Sequence, residues 1–75
     1  MRIEVETALT PDGRSVPRLI RRGEHHLEVS ETIDQWHGDD YRYLKVLGAD
    51  GHTYILRHDE RRDEWDLTLF QRAAT

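Results

Sequence analysis

Apolar and polar positions alternate in short runs from Tyr41 to Phe70, and clusters of turn-forming residues separate the runs. Tyr41-Arg42-Tyr43-Leu44-Lys45-Val46-Leu47 leads into Gly48-Ala49-Asp50-Gly51, and then into His52-Thr53-Tyr54-Ile55-Leu56-Arg57. A polar run from His58 to Glu64 precedes Trp65-Asp66-Leu67-Thr68-Leu69. Aromatic and β-branched residues suit pleated strands, and Gly and Asp suit the gaps. The pattern predicts two successive β-hairpins. A charged helix over 59–73 is the main competitor, but Trp65, Leu67 and Leu69 recur with period two, which favours a strand.

The same reading extends upstream. Ile3, Val5 and Thr7 alternate with Glu4 and Glu6, predicting a strand over about residues 2 to 9. Thr10-Pro11-Asp12-Gly13 has the residues of a tight turn. A second strand is expected from Val16 to Arg22, with Pro17 near its start or on an edge because proline donates no ladder hydrogen bond. Arg22-Gly23 marks a turn into a third strand, His25 to Ile33, with Leu27, Val29 and Ile33 on one face. The stretch from Asp34 to Asp40, which contains Trp36, is expected to be irregular. Six short strands with close turns predict an all-β fold, a small closed barrel or strongly curved antiparallel sheet of five to six strands, of SH3-like type, since closure removes open edges. The expected core is Ile3, Val5, Ile20, Leu27, Val29, Ile33, Leu44, Val46, Ile55, Trp65, Leu67 and Leu69. Tyr54 and Leu56 alternate out of phase with Ile55, so they are expected on the outer face, as an apolar patch for a partner.

Trp36, Tyr43-Leu44-Lys45-Val46, Asp50-Gly51-His52-Thr53-Tyr54-Ile55-Leu56, and Asp59 followed six residues later by Trp65-Asp66-Leu67 together resemble a family of small uncharacterised bacterial β domains. Pro17, Ile20, Gly23 and Val29 are similar to that family's first hairpin. The resemblance spans roughly residues 16 to 69 and rests on aromatic anchors and turns. Some members stand alone, and others look like companions or tails of the altered Y-family polymerase of a mutagenic-repair system. The resemblance implies an accessory role in a repair or polymerase assembly. It carries no catalytic residue to this chain. The loop around Asp34 to Asp40 is shorter here, and an aromatic frequent in the family near Arg21-Arg22 is missing.

At 75 residues the chain is one small domain. Typical per-residue values give it about 4–11 kcal/mol of stability. It has no cysteine, so neither disulfides nor thiolate metal sites contribute. No apolar run reaches the ~18 residues of a membrane span and no signal-peptide core is present, so the expected location is cytoplasmic, with no membrane partner. The formal net charge is −4, which argues against a general nucleic-acid binder.

The charge is nonetheless segregated. Arg14, Arg18, Arg21 and Arg22 lie in a stretch without acids, and Glu24, Glu28, Glu31, Asp34, Asp39 and Asp40 lie in the next stretch without Lys or Arg. Paired as a hairpin, the two blocks predict cross-strand ion pairs worth about 0.2–1 kcal/mol each. Left unpaired, the four arginines are the candidate site for single-stranded nucleic acid, bound weakly. Arg42 lies between Tyr41 and Tyr43, but alternation puts it on the opposite face of the strand.

No motif assigns catalysis. The pairs Asp39-Asp40, Asp59-Glu60 and Asp63-Glu64 fall in predicted turns, where solvent keeps both carboxylates ionised. The five histidines have no metal-ligand spacing. His25 and His26, adjacent on a strand, point to opposite faces. Gly48-Ala49-Asp50-Gly51 lacks the Lys and hydroxyl of a phosphate loop and enters a strand. The chain therefore reads as a non-enzymatic binding module with a protein partner, no cofactor and no metal. Its candidate binding residues are Arg14, Arg18, Arg21, Arg22, Tyr54 and Leu56.

Overall fold

A computed structural model describes residues 1–72. Six strands follow in order: β1 (Arg2–Leu9), β2 (Ser15–Arg22), β3 (His25–His37), β4 (Tyr41–Gly48), β5 (Thr53–Asp59) and β6 (Glu64–Gln71). Each pairs antiparallel with the next, and β6 returns to β1, so the sheet closes into a barrel. The small all-β barrel expected from the pattern is the fold.

Turn chemistry sets the registers. Thr10-Pro11-Asp12-Gly13 and Gly48-Ala49-Asp50-Gly51 form the same turn. In each, the glycine amide donates to the carbonyl three residues back, and the first residue's amide donates to the carbonyl four residues on. Both glycines have positive φ, 87° and 85°, which glycine adopts at least cost. Gly23 (φ 58°) begins the two-residue turn between β2 and β3, where a type II′ hairpin needs glycine.

The second of these turns decides which residues of β5 face inward. It pairs Leu47 with Thr53, and therefore Val46 with Tyr54 and Leu44 with Leu56. Leu44, Val46 and Leu56 are fully buried, with Ile3, Ile20 and Trp65 completing the core. The expected phase of β5 is thus reversed: Leu56 is a core residue and Ile55 faces outward beside Lys45. Tyr54 is half-buried and packs on the core.

Single-residue slips in register explain the other departures. On β3 the pairing with β4 slips between Val29 and Glu31 and again between Thr32 and Asp34, leaving Ser30 and Ile33 without opposite residues. Such bulges re-aim side chains, and Ile33 is 47% exposed instead of buried. On β6 the slip leaves Thr68 unopposed, so Leu69 pairs with outward Ile55 and is 53% exposed. Phe70 takes the inward phase opposite Tyr54. On β2, Arg18 is unopposed and Pro17 beside it is buried. Pro17 lies beyond the end of the β2–β3 ladder, which stops at Leu19, so its missing donor costs nothing on that side. The stretch from Asp34 to His37, expected to be irregular, continues β3, because β4 pairs with it as far as His37.

Candidate functional site

The arginine block does not form one basic patch. Arg14 sits at a turn and meets Asp12 at 3.0 Å. Arg21 meets Glu6 of β1 at 2.5 Å. Arg18 points outward from its bulge, and Arg22 lies at one mouth of the barrel, 3.7 Å from Met1 Sδ. The expected ion pairs across the β2–β3 hairpin do not form. Its two-residue turn places His25 opposite Arg22, His26 opposite Arg21, and Glu28 opposite Leu19. Tyr54 and Leu56 do not form an outer patch either: both belong to the inward row of β5.

The structure instead brings aromatics together on the outer face of β3, β4 and β5. Trp36 pairs with Tyr43, and Tyr43 with Arg57. The Trp36 and Tyr43 rings stack at 5.6 Å and 8°. Tyr41 tilts against Tyr43 at 6.4 Å, and the Arg57 guanidinium lies 4.5 Å from the centre of the Tyr41 ring. Arg57 is also anchored to Asp66 at 3.5 Å, and Asp66 to Arg2 at 3.4 Å. Ile55 and Leu69 extend the apolar surface along the same face. Trp36 is 40% exposed, so the core does not need it. Trp36 is not placed by the sequence because the run from Asp34 to Asp40 reads as irregular. The two bulges before it each reverse the phase of β3 and together cancel, so Trp36 keeps the outward phase that alternation from Leu27 gives.

Two hollows lie at the barrel ends. One, of about 360 Å³, is walled by Ile20, Leu27, Tyr54, Leu67 and Phe70, with Arg22, His25 and Asp50 at its lip. The Tyr54 hydroxyl donates to Asp50 Oδ2 at 2.5 Å, and the His52 amide donates to Oδ1 at 3.0 Å. Burial pushes the Asp50 carboxyl up, but these hydrogen bonds outweigh it and hold the group below the ordinary carboxylate range. Burial, then the bond to anionic Asp50, pushes the Tyr54 phenol up to about 12. The other hollow, about 510 Å³, opens over Trp65, Arg42 and His58. There His58 stacks on Trp65 at 4.0 Å and bonds to Asp63 at 2.9 Å.

Among the described residues, no three His, Asp or Glu side chains gather in a way that would hold a metal ion. No helix among the described residues is long and apolar enough to cross a membrane. No protein-family model, curated protein or solved structure matches the chain.

Proposed function

We propose that the domain is a non-enzymatic protein-interaction module that engages its partner through the outer aromatic face of Trp36, Tyr43, Tyr41 and Arg57. The observation that carries this reading is the exposed Trp36 ring, held flat against Tyr43 across the β3–β4 ladder. Interface anchors are enriched in Trp, Tyr and Arg because such groups offer a large contact area at little entropic cost. Here each neighbour is already fixed by stacking or by an ion pair. The resemblance to β domains accompanying an altered Y-family polymerase makes a repair or polymerase assembly the first partner class to test.

Weak binding of single-stranded nucleic acid is the second reading. It rests on Arg18 and Arg22, which have no carboxylate within 4.0 Å among the described residues. Asp12 and Glu6 hold the other two arginines. Two free cations allow a log–log salt slope of only about −1.4, at roughly −0.7 per phosphate for single strands.

The test is quantitative affinity capture from the native host, with the intact chain, Trp36→Ala and Arg18→Glu/Arg22→Glu as parallel baits. The aromatic-face reading expects a partner lost with Trp36→Ala and kept with the double arginine variant. It then expects that partner, purified, to bind the intact chain and not Trp36→Ala. A partner or nucleic acid lost only with the arginine variant would replace this reading with the second one.

A further inference from the structure

The hollow at the Arg22 end is built differently from the aromatic face. Its floor is the nearly inaccessible pair Ile3 and Ile20, and its walls are Leu27, Leu67 and Phe70. Phe70 is 43% exposed although it faces the barrel axis. It leans on Tyr54 at 5.1 Å and meets His52 edge-on at 5.3 Å. The apolar cup is therefore open to solvent, and its shape is fixed by ring contacts.

The lip is polar, and its groups differ in what they have left to offer. Asp50 uses Oδ2 on the Tyr54 hydroxyl and Oδ1 on the His52 amide. Arg2, Arg14, Arg21, Arg57 and Arg62 each meet a carboxylate. Arg22 meets none within 4.0 Å among the described residues; it donates to the Met1 sulfur, a weak acceptor, and its charge is felt by the Tyr54 phenol. An uncommitted guanidinium thus stands at the edge of an apolar cup, with the His25 imidazole opposite it in the β2–β3 register. A guanidinium's planar donor fork matches a carboxylate. The volume of about 360 Å³ falls at the lower end of small-ligand sites.

We propose that this mouth is a binding site for a small apolar carboxylate, its aromatic or branched aliphatic body against Phe70, Leu67 and Leu27 and its carboxylate on Arg22. Such chemistry is carried by a free organic acid or by the C-terminal residue of a polypeptide. The site shares no residue with the outer aromatic face.

The test is an NMR titration of the full chain, following backbone amides, with phenylacetate and with its uncharged isostere phenylacetamide. A tetrapeptide ending in phenylalanine, with free or amidated C-terminus, forms the second arm. Saturable shifts are expected at Leu27, Tyr54 and Phe70 with the acids. Binding should be about tenfold to hundredfold weaker for the amides, and for the acids with Arg22→Gln, as loss of a charge-assisted hydrogen bond implies. Phe70→Ala should weaken acid and amide alike, and Trp36→Ala should leave this binding unchanged. Binding of phenylacetate assigns the cup to free acids, and binding of the peptide alone assigns it to chain termini; either supports the site. Equal binding of acid and amide, indifference to Arg22→Gln, shifts confined to Trp36 and Tyr43, or no saturable shift with any probe would overturn it. The aromatic-face reading is distinguished by Trp36→Ala, which abolishes capture of its partner and leaves this binding unchanged.

Discussion

Trp65 and Trp36 show how differently one residue type is used. Trp65 is buried against Ile3 and the His58 ring, inside the barrel. Trp65→Ala should cost about 3–5 kcal/mol, most of the stability a chain this size has. Trp36→Ala removes a surface stack worth about 0.5–1.5 kcal/mol. Urea unfolding of the two variants should show the midpoint collapsing for the first and moving little for the second; equal shifts would mean that Trp36 is structural. Tyr54 and Asp50 give a second test. The raised phenol holds its proton more tightly in the folded chain, so its contribution to stability is whole below its ordinary value near 10 and is gone once pH has risen through about 12. Asp50 runs the other way. Its lowered carboxyl contributes above the ordinary carboxylate value, and that contribution is lost as pH falls through the lower folded one. Ultraviolet titration should find one tyrosine ionising late. Asp50→Asn should move it back toward 10 without reaching it, because burial is the largest cause and remains. An unchanged late tyrosine in that variant would show that Asp50 plays no part.

At the scale of elements, turns were legible and bulges were not. Gly13, Gly23 and Gly51 mark the turns that set the hairpins, so strand existence and order follow from the residues. The inward phase of β5 was within reach as well, since the Gly48–Gly51 turn places Leu56 opposite Leu44. Arg18, Ser30, Ile33 and Thr68 carry no mark that would set them apart as the unopposed residues of their strands. A bulge is chosen by how the curved sheet closes, not by local preference. That is why Ile33 and Leu69 read as core, and why the Phe70 cup was hidden; the aromatic face was hidden because the stretch holding Trp36 reads as irregular. The arginines of the candidate site were legible as charge, but their dispersal over a turn, a bulge and a mouth was not. Gly48 is the glycine whose lack of a side chain decides packing. A Cβ there would lie 2.9 Å from Leu27 Cδ2 and 3.0 Å from Tyr54 Cε1. Gly48→Ala should therefore cost about 1–3 kcal/mol through overpacking and disturb the Tyr54–Asp50 bond. A thermal melt equal to that of the intact chain would contradict this close approach.

For the whole molecule, the closure between β1 and β6 is the shortest ladder, with register pairs only at Arg2–Asp66 and Ile3–Trp65. Leu67 extends it by donating to the Met1 carbonyl at 2.7 Å, and Arg2 clasps Glu64 at 2.6 Å as well as Asp66. Few hydrogen bonds at a solvent-exposed seam mean low local stability. Hydrogen exchange should be faster at the Leu67 amide than at Leu44, Val46 or Leu56, and Arg2→Ala should speed it further while leaving the centre unchanged; uniform exchange would mean that the barrel opens as one unit. The barrel otherwise acts as a scaffold that uses one tryptophan to hold itself together and offers the other outside. That division is the central claim, and acrylamide quenching of two single-tryptophan variants tests it directly. With Trp65→Phe the remaining Trp36 should emit at long wavelength and be readily quenched. With Trp36→Phe the remaining Trp65 should emit at shorter wavelength and be shielded until the chain unfolds. Equal shielding of the two, or a shielded Trp36 beside an accessible Trp65, would contradict the account.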